Sequence, residues 1–324
     1  MKLIRLCLKT RSGSRQDFRQ TTELRTLSEF SYQEAIEPQR FETKPSIPAV
    51  QRISVLMAAV CCVASVRAAD ELQYPLGIAA SADSIVIADL RLPGVWQAKG
   101  ETLSILFKAE KRFRTPLNAV RCVEFDHDGK VLAGDSATRE VYRFDDQGKP
   151  VPLTEGRVGI AMDIAVNQAG DLFVSDLEIQ RVVKIPKAGG KPDEVAQISG
   201  CRGLFVDKED HLWVVSTTKD QLYRIAPDGE RKVVVKGRPF EFPHTVVVDD
   251  SLTAFVCDGF AKTIWKIPPD GEPQVWVKGE PFVNPVGMAL RGDKILVVDP
   301  KAKGVFEIDA DGKLTPLVFK VSEN

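Results

Sequence analysis

A short run of mostly apolar residues that ends in aspartate recurs along the chain and constrains its fold more than any other feature. Six copies are present, their last residues lie 40 to 46 positions apart, and in one copy serine replaces the aspartate. Self-similarity at such a period is typical of repeat architectures, in which each unit buries its apolar face against the next. The six runs are Ile85–Asp89, Val131–Asp135, Leu172–Asp176, Leu212–Ser216, Ala254–Asp258 and Ile295–Asp299.

Three further strand-like runs accompany each copy, separated by turns that contain Gly, Asp or Pro. Four strands this short form a small antiparallel sheet that cannot bury its apolar surface alone. Six such units predict an all-β protein, a six-bladed β-propeller with four antiparallel strands per blade. The fifth copy shows the pattern most clearly, with its four runs at Thr245–Val248, Ala254–Cys257, Thr263–Ile267 and Gln274–Val277.

The predicted propeller occupies residues 69–324. Six units account for residues 74–320, so the repeat leaves no strand over to overlap between the first and last blades. An edge contact from Glu71–Tyr74 to the last blade stays open at this point. The blade limits are about 74–115, 116–159, 160–199, 200–242, 243–284 and 285–320.

The first part of the chain differs from the repeats. Residues 1–52 are polar and show no sustained alternation, whereas residues 53–68 contain a largely apolar stretch of fourteen residues that ends in small ones. The order of Arg52, apolar stretch and Val66-Arg67-Ala68 predicts a signal peptide cleaved before Ala69, and a secreted or periplasmic protein. The polar leader is far too long for such a peptide, which favours a translation start downstream of Met1. The alternative is a disordered arm followed by a short buried helix.

Charge and cysteine content narrow the function classes. Residues 69–324 carry 33 basic and 39 acidic residues of interspersed sign, which argues against a nucleic-acid partner. No apolar stretch is long enough to span a membrane. After the leader three cysteines remain, Cys122, Cys201 and Cys257, each in a strand-like run. They are predicted to be core residues, although one pairing stays open in an oxidising compartment.

The unit resembles the NHL repeat and the wider group of six-bladed propellers that includes the gluconolactonase and strictosidine synthase-like families. The third unit carries the resemblance best, in Asp163-Ile164-Ala165-Val166-Asn167-Gln168-Ala169-Gly170-Asp171-Leu172-Phe173-Val174-Ser175-Asp176. The fourth unit departs from the pattern at Ser216. The resemblance covers about three-quarters of the chain and implies the fold more specifically than any activity.

The gluconolactonase-like members of this group imply a divalent metal in the central channel, held in part by a Glu beside Gly in the first blade. Here that place reads Tyr74-Pro75-Leu76-Gly77, without an acid. Only Asn118 and Asp163 are candidates for the other ligands. Calcium or another divalent cation is the cofactor that the resemblance implies, and the missing acid argues against a metal-dependent lactonase.

A more specific site is predicted where each first strand enters the channel. Three of the six units carry an apolar entry residue, whereas Arg121, Arg202 and His244 are polar. Asp163 is also polar where other units carry apolar residues, and Asn118 is near them. Two guanidinium groups and an imidazole at one opening would suit a carboxylate or another anionic group. Asp163 could orient His244 or pair with an arginine. The competing interpretation is an internal salt-bridge network that plugs the channel.

Three other features have structural interpretations that we favour. The repeated aspartates at the strand ends could surround a cation, but repetition in nearly every blade favours turn capping. The four tryptophans lie in strands and are predicted to pack between blades. Pro-Phe loops could rim a cleft or close gaps between blades; they contain Phe240, Phe242 and Phe282.

These observations predict a non-catalytic binding module. Its ligand would be a small molecule, peptide or protein at the channel-entry face. The alternative is a hydrolase or lactonase of the gluconolactonase-like group with a divalent metal in the central channel. Chemistry on a propeller depends on residues grafted onto the scaffold, so the positions of the polar entry residues decide between the two.

Overall fold

A computed structural model describes residues 71–110, 112 and 114–322. The predicted leader, signal peptide and cleavage site lie outside these residues. The described chain is built from strands and turns, and it contains no helix that is long and apolar enough to cross a membrane. Six small antiparallel sheets follow one another along the sequence, and we call them blades one to six.

The strands are numbered in chain order. Blades one and two contain β1 (Pro75–Ala80), β2 (Ile85–Asp89), β3 (Gly94–Lys99), β4 (Thr102–Lys108), β5 (Val120–Phe125), β6 (Val131–Asp135), β7 (Glu140–Phe144) and β8 (Pro150–Pro152). Blades three and four contain β9 (Ala161–Val166), β10 (Leu172–Asp176), β11 (Arg181–Ile185), β12 (Asp193–Gln197), β13 (Cys201–Val206), β14 (Leu212–Ser216), β15 (Leu222–Ile225) and β16 (Arg231–Val235). Blades five and six contain β17 (Pro243–Val248), β18 (Ala254–Asp258), β19 (Thr263–Ile267), β20 (Gln274–Lys278), β21 (Gly287–Arg291), β22 (Lys294–Asp299), β23 (Gly304–Ile308) and β24 (Leu314–Leu317).

The first strand of each blade lies at the centre of the molecule. Each of these strands contacts the first strands of both neighbouring blades, and the sixth contacts the first. The six therefore form a closed ring around a central axis, which confirms the predicted six-bladed β-propeller. This ring brings together residues that are about 40 positions apart in the chain. The inner strands are β1, β5, β9, β13, β17 and β21.

The apolar core is divided among the spaces between blades. Each of the six core clusters draws its residues from two neighbouring blades, so every blade packs both faces against its neighbours. This arrangement explains why one unit cannot be stable alone. Cys122, Cys201 and Cys257 are buried as free thiols in these clusters.

The ring closes by a strand that the repeat did not predict. After β24, a two-residue strand, β25 (Lys320–Val321), pairs in parallel with the outer strand β4 of blade one. The Lys320 and Ser322 amides donate to the carbonyl oxygens of Glu101 and Leu103, at 2.8 and 2.9 Å. The expectation of no overlapping strand was therefore wrong. A strand of two residues is too short to show the alternation of apolar and polar residues by which strands are recognised in a sequence.

Closure by β25 is expected to contribute to stability. Phe319 and Val321 pack against the core cluster between blades one and six. Replacing Val321 by aspartate should lower the free energy of unfolding by about 1–2 kcal/mol, since it places a charge against that cluster. Val318 is 81 % exposed, so Val318→Asp is the matched control and should change stability by less than about 0.5 kcal/mol. Equal effects in urea unfolding would show that the tail does not hold the ring closed.

Candidate functional site

The residues at the channel entry are displaced from regular strand geometry. In five of the six blades the pairing of the inner strand with its neighbour shifts register at the entry position. A β-bulge of this kind bends the strand and re-aims a side chain. In blade six the pairing is regular, and the entry residue there is Val286. The residues at the five bulges are Leu76, Arg121, Met162, Arg202 and His244.

Arg202 is the most unusual of these residues. Its guanidinium carbon lies 4.5 Å from the centre of the Phe242 ring, in a cation–π contact. Its Nε is buried without a hydrogen-bond partner, and no carboxylate in the described chain forms an ion pair with it. Burial lowers the pKa of Arg202, and the nearby charge of Arg121 lowers it further. A positive charge therefore lies at the channel entry without a compensating protein anion.

Arg121 adds a second positive charge to the same opening. It belongs to blade two, whereas Arg202 belongs to blade four. The Arg121 Nε donates to the Ser136 Oγ at 3.0 Å, and this hydroxyl donates to the Ala119 carbonyl at 3.1 Å. The hydroxyl orients the guanidinium without neutralising it. Arg121 also has no ion-pair partner among the described residues.

His244 is adjacent to Arg202 because the inner strands of blades four and five approach closely. A Cβ on Gly203 would lie 2.5 Å from the Thr245 Cα, so only glycine permits this approach. Burial, and then the charge of Arg202, lower the pKa of His244 to about 3. The imidazole is therefore neutral at physiological pH. Neither ring nitrogen has a partner in the described chain, so both can bond to a ligand or to water.

Aromatic side chains form an apolar surface beside these groups. The Phe242 ring contacts the His244 ring edge-on at 5.0 Å and stacks on Phe260 at 4.7 Å between centres. Phe260 is 62 % exposed, so the stacked pair presents an apolar surface to solvent beside the entry. Phe240 and Phe282, by contrast, are buried in core clusters and close the gaps between blades. Of the predicted Pro-Phe loops, only Phe242 contributes to the site.

Asp163 and Asn118 do not join this group in the way that the sequence suggested. The Asp163 carboxylate accepts hydrogen bonds from the amides of Ile164 and Leu204, at 3.0 and 2.9 Å. It pairs with neither His244 nor an arginine. Burial raises its pKa to about 7. Asn118 donates to the Arg112 carbonyl at 2.9 Å, in an exposed loop. The proposed orientation of His244 by Asp163 is thus not present.

A second carboxylate lies near Asp163, and the sequence analysis missed it. Glu124 is on the inner strand of blade two, and its Oε1 accepts a 2.8 Å hydrogen bond from the Phe125 amide. Burial raises the pKa of Glu124 to about 8, and the charge of Asp163 contributes to the rise. Both side chains border the central channel with part of their surface accessible. The signal was present in the sequence, because the equivalent residues of the other inner strands are apolar: Ala79, Ala165, Phe205, Val247 and Ala289.

The described residues contain no group of three or more His, Cys, Asp or Glu side chains that could hold a metal ion. Asp163 and Asn118 satisfy backbone groups in different segments. Their arrangement does not fit a divalent metal, which prefers several converging oxygen ligands.

The repeated aspartates have the structural role that we favoured. Asp89 illustrates it, since its buried carboxylate accepts the amides of Gln73 and Tyr74 before the inner strand and those of Arg91 and Leu92 after its own. The carboxylate thus joins the entry loop to the turn of its own blade. In blade four the Ser216 hydroxyl partly replaces it. The same pattern of capping is found at Asp135, Asp176, Asp258 and Asp299.

The closed ring of inner strands and the polar bulges at one end define a six-bladed β-propeller with a candidate binding site at its channel entry. No family model and no curated protein matches the sequence. Solved structures do resemble it. A virginiamycin B lyase from Staphylococcus aureus matches with a TM-score of 0.60 and 15 % identity, over 78 % of this chain and 87 % of that one.

Two further structures show the range of proteins that share this fold. A gluconolactonase, XC5397 from Xanthomonas campestris, matches with a TM-score of 0.63 and 16 % identity, over 76 % of this chain and 88 % of that one. A chain of a nidogen/laminin complex matches with a TM-score of 0.60 and 18 % identity, over 76 % and 93 %. At such identities the likeness shows the fold alone, and it extends from enzymes to a chain in a protein complex.

Proposed function

We propose that this protein is a non-catalytic binding module that takes an anionic ligand at the channel entry. The ligand carries a carboxylate or phosphate group on an apolar or aromatic body, and it is a small molecule or a segment of a peptide or protein. The module acts outside the cytoplasm after cleavage before Ala69, as the order of charge, apolar stretch and small residues at 52–68 supports. N-terminal sequencing of secreted material tests the cleavage: a start at Ala69 is expected, and an intact Met1 would contradict it.

The single observation that carries the proposal is the uncompensated guanidinium of Arg202. Buried charges in proteins are normally paired, because an isolated buried ion is costly. A guanidinium presents a planar set of donors that matches carboxylate and phosphate oxygens. Arg121 supplies a second set of donors, and the stacked rings of Phe242 and Phe260 offer an apolar surface beside them. An anion with an aromatic or apolar body would satisfy both features.

Binding is better supported than catalysis. Among the polar entry residues, His244 is the candidate general base, and its pKa, lowered to about 3, makes the imidazole a weak base at physiological pH. The carboxylate of Asp163 bonds to backbone amides and so does not raise the basicity of His244. A lactonase or ester hydrolase with a divalent metal would need oxygen ligands that converge in the channel, and Asp163 and Asn118 do not converge. The hydrolase alternative therefore has weaker support.

The proposal is tested by replacing Arg202 with glutamine. Phenyl phosphate and benzoate serve as probes, with affinity measured by calorimetry. We expect the wild-type protein to bind at least one probe and the variant to bind it roughly 10- to 100-fold more weakly, since a charge-assisted hydrogen bond contributes about 1.5–3 kcal/mol. Arg202→Lys should lose most of the affinity as well, because an ammonium lacks the planar set of donors.

Arg181 offers a matched control. It is an exposed arginine on blade three that pairs with Glu194 at 2.7 Å, so Arg181→Gln should leave probe affinity unchanged. Circular dichroism and thermal unfolding establish that each variant is folded. Unchanged affinity of the Arg202→Gln variant, or the failure of both probes to bind the wild-type protein, would contradict the proposal.

A further inference from the structure

A cleft lies between blades five and six at the end of the molecule opposite the channel entry. Its volume is about 490 Å³, within the range of about 300–1,000 Å³ that small-molecule sites occupy. The turns that follow the two inner strands form its rim, and the outer strands of blade five form its wall. The residues that matter below are Asp249, Phe255, Lys266, Trp276 and Asp293.

Lys266 distinguishes this cleft from the equivalent places in the other blades. The residue at its position on the third strand has a side-chain partner in every other blade. Lys266 has none in the described chain, and its Nζ lies 5.9 Å from the centre of the Phe255 ring. The partnered equivalents are Gln97 with Ser84, Arg143 with Asp126, Lys184 with Asp171, Arg224 with Asp207, and Glu307 with Lys294.

The missing partner of Lys266 can be identified by its spacing. In blades two and four the ion pair joins residues 17 positions apart, Asp126 with Arg143 and Asp207 with Arg224. Asp249 lies 17 positions before Lys266 and caps the equivalent turn, with its Oδ1 accepting the Ser251 and Thr253 amides. Yet no ion pair forms between them within 4.0 Å. In blade five the Lys266 ammonium and the Asp249 carboxylate therefore both line the cleft but do not form an ion pair with each other.

Trp276 is the second residue that sets blade five apart. It lies at a β-bulge where the fourth strand shifts register, and the bulge residues of the comparable blades are aliphatic. The other three tryptophans each donate their indole N–H to an aspartate, whereas Trp276 is half-buried and its N–H has no partner in the described chain. The aliphatic equivalents are Leu106, Val195 and Val234, and the donating pairs are Trp96–Asp89, Trp213–Asp207 and Trp265–Asp258.

The lining therefore places two donors without a protein partner, two carboxylates and an aromatic ring around one solvent-accessible cleft. The Lys266 ammonium and the Trp276 N–H are donors, and the carboxylates of Asp249 and Asp293 are acceptors. An anionic ligand would be repelled by the carboxylates of Asp249 and Asp293. A cationic ligand would be repelled by the Lys266 ammonium, which already lies over the Phe255 ring. A ligand with hydroxyl groups can donate to the acids and accept from the donors, while its C–H face packs on the indole.

We propose that the cleft between blades five and six binds a neutral mono- or disaccharide. Trp276 packs against the face of one sugar ring, and its N–H and Lys266 donate to ring hydroxyls. Asp249 and Asp293 accept from the hydroxyls at the opposite edge. This site shares no residue with the channel entry, so it stands independently of the anionic ligand proposed there.

The test uses the full chain and four disaccharides: maltose, cellobiose, lactose and N,N′-diacetylchitobiose. Binding is followed by tryptophan fluorescence and by saturation-transfer NMR. At least one sugar should bind with a dissociation constant in the millimolar range. Trp276→Leu, which introduces the residue found at the equivalent bulge of blade one, should weaken that binding at least tenfold. Lys266→Met provides a second, less disruptive variant and should weaken it several-fold.

The Arg202→Gln variant should bind the sugar as the wild-type protein does, since it changes only the channel entry. Putrescine is the control for charge, and it should neither bind nor compete. Absence of sugar binding up to about 50 mM, which corresponds to less than about 2 kcal/mol of binding free energy, would overturn the proposal. Unchanged affinity in both cleft variants would also overturn it, as would binding of putrescine in place of the sugars.

Discussion

Replacing Asp89 by alanine is expected to lower the free energy of unfolding by about 4 kcal/mol, an unusually large effect for one substitution. The Asp89 carboxylate is fully buried and accepts four backbone amides at 2.6 to 3.1 Å. It also accepts the Trp96 indole N–H at 3.3 Å. Without the carboxylate these donors would be buried and unsatisfied, at a cost of about 1–3 kcal/mol each before relaxation and water entry. Urea unfolding measures the loss.

Asp309 is the matched control for this substitution. Its carboxylate also caps a turn, accepting the Asp311 and Lys313 amides at 3.1 and 2.9 Å, but these bonds are exposed. Water can replace them, so Asp309→Ala should cost less than about 1 kcal/mol. Asp89→Ser should be milder than Asp89→Ala, because Ser216 fills the equivalent place in blade four. Equal losses for Asp89→Ala and Asp309→Ala would show that the strand-end carboxylates do not hold the entry loops in place.

Raising the pH from 5 to 8 is expected to lower the free energy of unfolding by about 2–4 kcal/mol. The pKa of Glu124 is raised to about 8 and that of Asp163 to about 7, chiefly by burial. In the unfolded chain both groups lose their protons near their ordinary pKa, at 4 to 4.5. Between these values the folded state holds more protons than the unfolded state, so its stability falls as the pH rises.

His244 acts in the opposite direction over part of this range. Its folded pKa of about 3 lies below the ordinary 6.5, so the unfolded chain holds more protons between these values and stability rises with pH there. The imidazole of His244 therefore offsets part of the loss of stability caused by the two carboxyl groups. This offset fades as the pH rises through 6.5, where the unfolded chain loses the imidazole proton. The decline should therefore be steepest between about pH 6 and 7, and it should level off toward pH 8 and above as both carboxyl groups ionise in the folded state.

Glu124→Gln isolates the main contribution to the pH dependence. The amide keeps the size of the side chain but cannot ionise, so the unfolding free energy of the variant should change little between pH 7 and 8. It should also exceed that of the wild-type protein at pH 8. Glu307→Gln serves as the control, since Glu307 lies on the third strand of blade six, away from the channel, and pairs with Lys294 at 2.6 Å. A wild-type stability that rises between pH 6.5 and 8 would contradict the raised pKa values of the channel carboxyl groups.

Much of the candidate site could be predicted from symmetry alone. Arg121, Arg202 and His244 stand at the same position of their repeats, where the other three repeats carry apolar residues, and such a break in symmetry indicates a local function. Their closeness follows from ring closure, which any propeller imposes. The partners of Asp163 could not be predicted in this way, because they depend on which amides a neighbouring inner strand presents. Its carboxylate bonds to Leu204, 41 positions away.

Other features could not be predicted from the repeat pattern, because they depend on contacts that do not form in the folded protein. In the sequence Lys266 is equivalent to the basic residues on the third strands of other blades. Only the tertiary structure shows that it forms no ion pair with Asp249. Trp276 looks like the other strand tryptophans until its unpaired indole is compared with their hydrogen bonds. We predicted that all four pack between blades, and Trp276 does contribute to the core between blades five and six. Its partly exposed side chain, however, also lines a cleft.

The sequence by itself determined the six strand-end runs, the four strands per blade and the all-β propeller. These features follow from the local alternation of apolar and polar residues, the turn residues and the fixed period. Each repeat contains this pattern independently of the others. The tertiary structure alone decided that the strand-end aspartates cap loops, that β25 closes the ring on blade one, and that Arg202 lacks an anion. The physical reason is that hydrogen bonds and ion pairs form between blades, across about 40 residues of chain. At the channel entry, β-bulges also change the direction of the side chains of Arg121, Arg202 and His244.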